Sequence, residues 1–415
     1  MHPDPRETLH GAAAVPDGPL ELDRVYARGS RLARNRRLAA ATAPLVVFAV
    51  LVSTVLAVRP MPDPPLAAAP TGPFDGLRVG WNVLPAPPSM SDPLAAAWTG
   101  HRLLVWARTA LPSPETTAFA FDSRTRSWRT TAAFPLRLRE GPTWAWTGRQ
   151  LLVWGGVTYS GGSPVEFDDG AAYDPATDSW RALPKAPIDG RSPLWVWTGR
   201  ELIVWGDQGI SATTDAMIYD GAAYDPALGT WRRTADAPVA LAYGTAAWTG
   251  HEMIIVGVAK TPTGDLVTGH MVAAAYDPST NTWRRLPDFN QAAQVVSTAW
   301  DGTELIAVTD GWAAGAYDPA HNAWRSLPGA PPRAECGPQH PTVGGRVYMS
   351  RCLGSTMGDV LGLYAFDRAT NRWTDITIAD PPLSSGVLVG AGSLLLLVAR
   401  TSPAGDSVMY AYRPG

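Results

Sequence analysis

The stretch AYDPATDSW, residues 172–180, returns as AYDPALGTW at 223–231, AYDPSTNTW at 275–283 and AYDPAHNAW at 316–324. An aspartate followed by proline interrupts a β ladder and opens a turn, so each copy reads as a strand ending, a connection and, at the tryptophan, a strand beginning. The connection has one length. From aspartate to tryptophan the step is six residues at Asp122–Trp128, Asp174–Trp180, Asp225–Trp231, Asp277–Trp283, Asp318–Trp324 and Asp367–Trp373.

A second signature alternates with the first. WTGRQLLVW at 146–154 is echoed at 98, 197, 248 and 300, and each copy is a turn followed by a continuous apolar run, the mark of a strand buried on both faces. From the tryptophan of the first signature to the turn glycine of the next second signature the step is 19 or 20 residues. From that glycine to the following aspartate it varies: 22, 26, 26, 27, 16 and 23. Each unit of about 50 residues therefore reads as four antiparallel strands, a to d, with nearly all length variation in the b-to-c connection.

The chain ends test closure. Trp81, in WNVLPAPP, precedes Gly100 by 19 residues and reads as a strand d with no blade before it, while AYRPG at 411–415 reaches the Tyr-Asp-Pro position and stops. Six complete blades and one shared between the ends predict an all-β, seven-bladed propeller over 75–415, its last blade closed by an N-terminal strand and its sheet edges covered. GAAYDPATDSW after LLVWGG resembles the kelch repeat, here divergent and of membrane-anchored bacterial type, with the glycine pair kept only at Gly155 and Gly156. That resemblance implies a propeller that serves as a binding scaffold for proteins or glycans.

Upstream of the repeats, residues 38–58 are 21 uncharged positions, long enough as a helix to span a hydrocarbon core about 30 Å thick. Arg24, Arg28, Arg31, Arg34, Arg36 and Arg37 precede it, which predicts a cytoplasmic tail over 1–37, one transmembrane helix and an extracytoplasmic propeller at the cell membrane. Residues 59–74, rich in proline, read as a semi-rigid linker. In that oxidising setting Cys336 and Cys352, nearly symmetrical about Gly344, are expected to form a disulfide across the sixth-blade hairpin.

Antiparallel strands alternate direction, so the b-to-c and d-to-a connections share one end of the disc, and recognition is expected there. The long loops at 155–170, 206–221 and 257–272 belong to three consecutive blades. They supply the candidates Tyr159, Glu166, Asp168, Asp207, Asp215, Lys260, Asp265 and His270, with Arg191 and His340 on d-to-a segments. Trp144 and Trp195 replace the small residues of other repeats on strand a and are candidate channel contacts. The net charge of −3, with 2 lysines in the chain, argues against nucleic acid. No Cys/His metal spacing, phosphate loop or Gly-x-Ser-x-Gly elbow is present, so neither a metal nor another cofactor is expected.

The expected partner is an extracytoplasmic protein or glycan, met by a monomer, and the balance of motifs is against an enzyme. Two alternatives stand beside this reading. One is a carbohydrate-active propeller, similar to the galactose oxidase or sialidase types. The other is a ligand sensor coupled to the cytoplasmic tail.

Overall fold

The computed structural model describes residues 74–415 apart from 75, 91, 109–115, 161–162, 207–217, 262, 290–294, 310–312, 330–339, 354–359 and 402–404. Seven four-stranded antiparallel sheets follow one another. Blade 1 runs through strands Asp92–Trp98, Arg102–Arg108, Thr116–Asp122 and Ser127–Thr130. Its successors have their a strands at Ala145–Trp146, Leu194–Trp197, Leu241–Trp248, Val295–Trp300, Thr342–Val343 and Leu383–Ala391. The a strands of blades 7 and 1, 2 and 3, 3 and 4, and 4 and 5 meet around the axis.

Closure is as the spacing predicts. Gly80–Leu84 pairs antiparallel with Ser407–Arg413, in the register Gly80↔Arg413, Trp81↔Tyr412 and Leu84↔Met409, and so becomes strand d of blade 7. The Trp81 indole donates to the Ile376 carbonyl of blade 6 at 2.6 Å.

The b strands show why their sequences are apolar throughout. Leu103–Ala107, Leu151–Trp154 and Leu202–Trp205 are almost fully buried because both faces meet neighbouring blades. Strand d of most blades, at the rim, keeps only its tryptophan half-buried. That tryptophan reaches back one blade: the indoles of Trp128, Trp231, Trp283 and Trp324 donate to the carbonyls of Pro85, Pro184, Ala235 and Pro287 at 2.9–3.0 Å. The motif tyrosine stacks beside it, with Tyr276 and Trp283 ring centroids 5.0 Å apart. Tyrosine and tryptophan are thus the filling between blades.

The aspartate holds the c-to-d turn. Asp225 Oδ1 accepts the N–H groups of Ala227 and Leu228 at 2.8 and 3.2 Å, and its other oxygen meets Arg200 at 3.3 Å. A residue in the left-handed region completes the turn: Arg126, Asp178, Asn281, Asn322 and Asn371, with Gly229 in blade 3. Asn281 also ties two blades together, accepting from Tyr276 Oη at 2.6 Å and from the Ala235 N–H at 3.0 Å.

These turns make stability acid-sensitive. Burial raises the Asp225 carboxyl, but the two backbone N–H groups and Arg200 outweigh it and hold the group below its ordinary value. Asp277 is lowered by the Ser279 hydroxyl, against burial, with further N–H donors, and Asp367 is lowered by Arg346. A depressed folded value means stabilisation that is complete above the unfolded carboxylate value of about 3.9 and is lost as pH falls through the folded values. The urea midpoint is therefore expected to fall steeply below about pH 4, on top of the shallower loss between about pH 6.5 and 4 that comes from His340, which burial holds neutral in the fold. A midpoint that stays flat to pH 2.5 would refute the contribution of these turns.

Three expectations need correcting. No helix among the described residues is long and apolar enough to cross a membrane, and residues 38–58, with the tail and most of the linker, lie outside those described. Length and apolarity satisfy the requirement for a span without establishing one, so the single-pass anchor, the membrane as a partner and the cell-membrane topology are withdrawn. The disulfide is withdrawn as well. The described ladder between strands a and b of blade 6 is Thr342↔Val347 and Val343↔Arg346, whereas Cys352 lies farther along, opposite Leu361 of strand c, and Cys336 is outside the described residues. The kelch assignment is taken up with the comparisons below.

Candidate functional site

The loop-bearing end is built on local rules. In blade 2 the long b-to-c connection folds into its own hairpin, Val157–Ser160 with Ser163–Glu166, which pairs Tyr159 with Pro164 and leaves Tyr159 50% exposed. Glu166 lies opposite Val157 at its base. In blade 4 strands b and c run on past the disc as Met253–Lys260 and Leu266–Asp277, with Lys260 opposite Leu266. A Thr261–Asp265 turn closes this arm, where Asp265 accepts the Thr263 hydroxyl at 2.6 Å. Asp207 and Asp215, in the blade 3 loop, are outside the described residues.

Gly155 and Gly156 sit at the foot of the blade 2 hairpin with φ of 73° and 96°. A Cβ on the first would stand 2.5 Å from the Arg191 carbonyl, and on the second 2.9 Å from the Glu140 carbonyl. Their bareness lets two d-to-a segments close over strand b, where the Gly156 N–H donates to the Arg191 carbonyl at 2.8 Å.

Arg191 is spent on this architecture. Its guanidinium is buried, with Nη1 2.8 Å from Asp220 Oδ1 and Nε 3.0 Å from the Asp189 carbonyl. Arg139, which sequence reading missed, does the same one blade earlier. Its side chain is 1% exposed, donates to Asp169 Oδ1 at 2.6 Å and to the Gly155 carbonyl at 3.0 Å, and stacks 4.1 Å over Phe167. The signal was available: an acidic residue stands just before the Gly-Ala-Ala-Tyr strand in both blades, at Asp169 and Asp220.

The other candidates are scattered. Asp168 meets Lys185 at 3.1 Å on the surface, and His270 Nε2 lies 3.3 Å from Asp288, which also takes Arg285 at 3.1 Å. Trp144 is buried against Trp106 and Phe134, with ring centroids 6.1 and 5.9 Å away, so packing explains it. Trp195 remains half-buried between two interblade clusters. His340 hydrogen-bonds through Nε2 to the Ser297 hydroxyl of the neighbouring blade, and burial pushes its pKa down to about 4. Among the described residues no group of three or more His, Cys, Asp or Glu gathers as a metal site.

One residue at this end departs from the repeat. Of the six non-glycine residues with positive φ among the described residues, five are the c-to-d turn residues already named; the sixth is Tyr243, at φ 49°, on strand a of blade 4. A bulge between Ala242 and Thr245 interrupts the ladder there, and Tyr243 is 45% exposed. Gly244 behind it is closely covered: a Cβ would lie 2.4 Å from Leu241 Cδ1 and 2.9 Å from Leu194 Cδ1, so those leucine side chains would have to turn aside for a larger residue. Strand a is bulged at the same place in blades 1, 5 and 7, but among the described residues only Tyr243 takes a positive φ there, at a conformational cost of about 1–3 kcal/mol.

No protein-family model and no curated protein matches the chain. Among solved structures it is similar to that of YjhT, at 16% identity and a TM-score of 0.46, over 80% of this chain and 96% of the other. With no family match, kelch membership is corrected to the fold alone: a seven-bladed propeller similar to that of YjhT. Divergent spacing can preserve four-stranded blades while the family's glycine pair is lost, which is why the fold was readable and the family was not. The leaning against an enzyme, which rested on the lack of recognisable catalytic motifs, is withdrawn as well, because a propeller scaffold carries catalysis and binding alike and catalytic groups gathered from different blades need leave no local motif.

Proposed function

We propose that the chain is a carbohydrate-directed propeller that recognises a glycan on its b-to-c loop face at the mouth of the channel. Tyr243 carries the reading. A strained, exposed aromatic beside the axis costs stability and contributes little to packing, which is the pattern of a residue retained for contact. An aromatic face suits the apolar C–H side of a sugar ring, and the blade 2 hairpin, with the exposed Tyr159, and the blade 4 arm rise from the same end to flank a chain of sugars. The short blade 5 connection leaves that side low.

The test is a glycan panel run on the full chain by calorimetry, with product analysis so that turnover is seen if it occurs. Tyr243→Gly is expected to weaken binding about tenfold or more, equivalent to about 1.4 kcal/mol. It should also raise stability by about 1 kcal/mol, since glycine adopts φ 49° without strain. A variant that binds as well as the parent chain removes Tyr243 from the site. A panel with no binder removes the carbohydrate reading altogether.

A further inference from the structure

Strand register fixes which inner residues face each other across every blade junction. The position two before the turn residue is Ala96, opposite Val105, and its equivalents are Trp195 opposite Val204, Ala246 opposite Ile255, Thr298 opposite Ala307 and Leu388 opposite Leu397. Trp144 and His340 hold this position in blades 2 and 6. Residues here point to the preceding blade, and residues one position earlier point to the next.

The packing bears this out. Val387 joins Ala96 between blades 7 and 1, Ala95 joins Trp144 between blades 1 and 2, and Leu194 packs with Ala246 between blades 3 and 4. Ser297 meets His340 between blades 5 and 6. By the same register Thr245 stands opposite Thr298 between blades 4 and 5.

This makes the innermost layer two-sided. Three junctions are closed by apolar pairs. Thr143, the hydroxyl in the junction of blades 2 and 3, is satisfied within its own blade by accepting the Trp154 N–H at 2.8 Å. In the next polar sector the groups are orphaned. Thr245 Oγ1, Thr298 Oγ1 and His340 Nδ1 are all buried without a hydrogen-bond partner, and Thr298 and Ser297 are more than nine-tenths buried. Buried polar atoms are nearly always paired in native proteins, by protein, water or ligand. Other buried side-chain atoms, Trp106 Nε1, Thr234 Oγ1 and Trp373 Nε1 among them, also lack a partner, but they are dispersed; these three fall in two adjacent junctions beside Tyr243, the one tyrosine with positive φ among the described residues. Residues 243–246 are all at least partly exposed, so solvent reaches the edge of this sector although the Thr245 hydroxyl itself is covered.

We infer that the junctions of blades 4–5 and 5–6 form one polar subsite, in which Thr245, Thr298 and His340 hydrogen-bond the hydroxyls of a single neutral sugar ring whose apolar face rests on Tyr243. This deepens the carbohydrate reading and rests on it. With Nε2 accepting the Ser297 hydroxyl proton, Nδ1 carries the ring hydrogen and is a donor, while each threonine can donate or accept. None of these groups carries charge at neutral pH, because His340 is held neutral by burial. The sector therefore offers neutral hydroxyl chemistry and no counter-ion for an acidic sugar.

The experiment uses the full chain with cellobiose, maltose and lactose against glucuronic acid, read by calorimetry, and compares the parent with Thr245→Val, Thr298→Val and Ser297→Ala. Valine keeps the shape of threonine and removes the hydroxyl. Each valine variant is expected to lose about tenfold or more in affinity for the neutral sugar that binds best, with its melting temperature unchanged or raised, because the lost hydroxyl had no partner in the free protein. Ser297→Ala, which frees the His340 ring to turn, should weaken binding as well. A drop in melting temperature with unchanged affinity assigns the hydroxyls to structure and overturns the subsite while the carbohydrate reading stands. Preference for glucuronic acid overturns the neutral ligand class. Absence of binding by the parent chain to every glycan tried overturns both.

Discussion

A chain lacking Gly80–Leu84 is expected to lose the single cooperative thermal transition of the intact propeller. The five residues are strand d of blade 7, and their register with Ser407–Arg413 is one of two kinds of link that bring the ends together. The other is packing: Leu84 and Met90 are buried with Val387, Leu396 and Met409 of blade 7 and with Leu103, Val105 and Phe121 of blade 1. Removing the strand opens a polar edge along 407–413 and strips the cover from that cluster, so the penalty falls on two junctions at once. Trp81→Ala tests the same seam more gently. It forfeits the indole donation to Ile376 and the ring contacts with Tyr410 and Tyr412, at 6.1 and 5.0 Å, and is expected to cost about 3–5 kcal/mol. Scanning calorimetry checks both. If the shortened chain melts in one transition within a few degrees of the parent, the ring does not depend on this closure.

Trp205→Ala is the second large loss expected, about 3–5 kcal/mol in urea denaturation. The side chain is 1% exposed at the end of the blade 3 apolar run, opposite Gly221, whose Cβ position would lie 3.1 Å from the indole. Its Nε1 donates to the Tyr219 carbonyl at 2.9 Å, and its ring lies 5.6 Å from Trp283 of the next blade. Truncation therefore leaves a cavity bounded by two blades and takes from the Tyr219 carbonyl one of its two donors, the Ala237 N–H remaining, and neighbouring β ladders cannot collapse into the cavity without breaking register. Trp197→Ala, at the a-to-b turn of the same blade, is half-buried and serves as the comparison; it should cost clearly less. Equal losses at the two positions would contradict this account.

Arg191 shows why candidate residues were harder to read than blades. From sequence it is a basic residue on a d-to-a segment at the loop-bearing end, and that description is true of a ligand contact and of a structural tie alike. Only the position of Asp220 and of the Asp189 carbonyl decides that the guanidinium is consumed internally. Tyr243 was missed for the opposite reason. Nothing in LAYGTAAW marks the tyrosine as strained; strand a is bulged at the same place in blades 1, 5 and 7, and only the three-dimensional structure shows that the blade 4 bulge turns its residue to positive φ.

By itself, the sequence determined the repeat, the four-stranded unit, the number of blades, the shared last blade and the end of the disc that carries the variable loops. Each of these follows from distances counted along the chain, because turn chemistry and strand length are local and recur at a fixed period. The tertiary structure alone decided that the strands carrying Thr245 and Thr298 lie side by side and that Ser297 meets His340, since those pairs lie 53 and 43 positions apart and their strands come together only when one blade is laid on the next. Whether a polar group is satisfied is a property of its surroundings in space, and the surroundings of the inner strands are supplied by their neighbours around the axis.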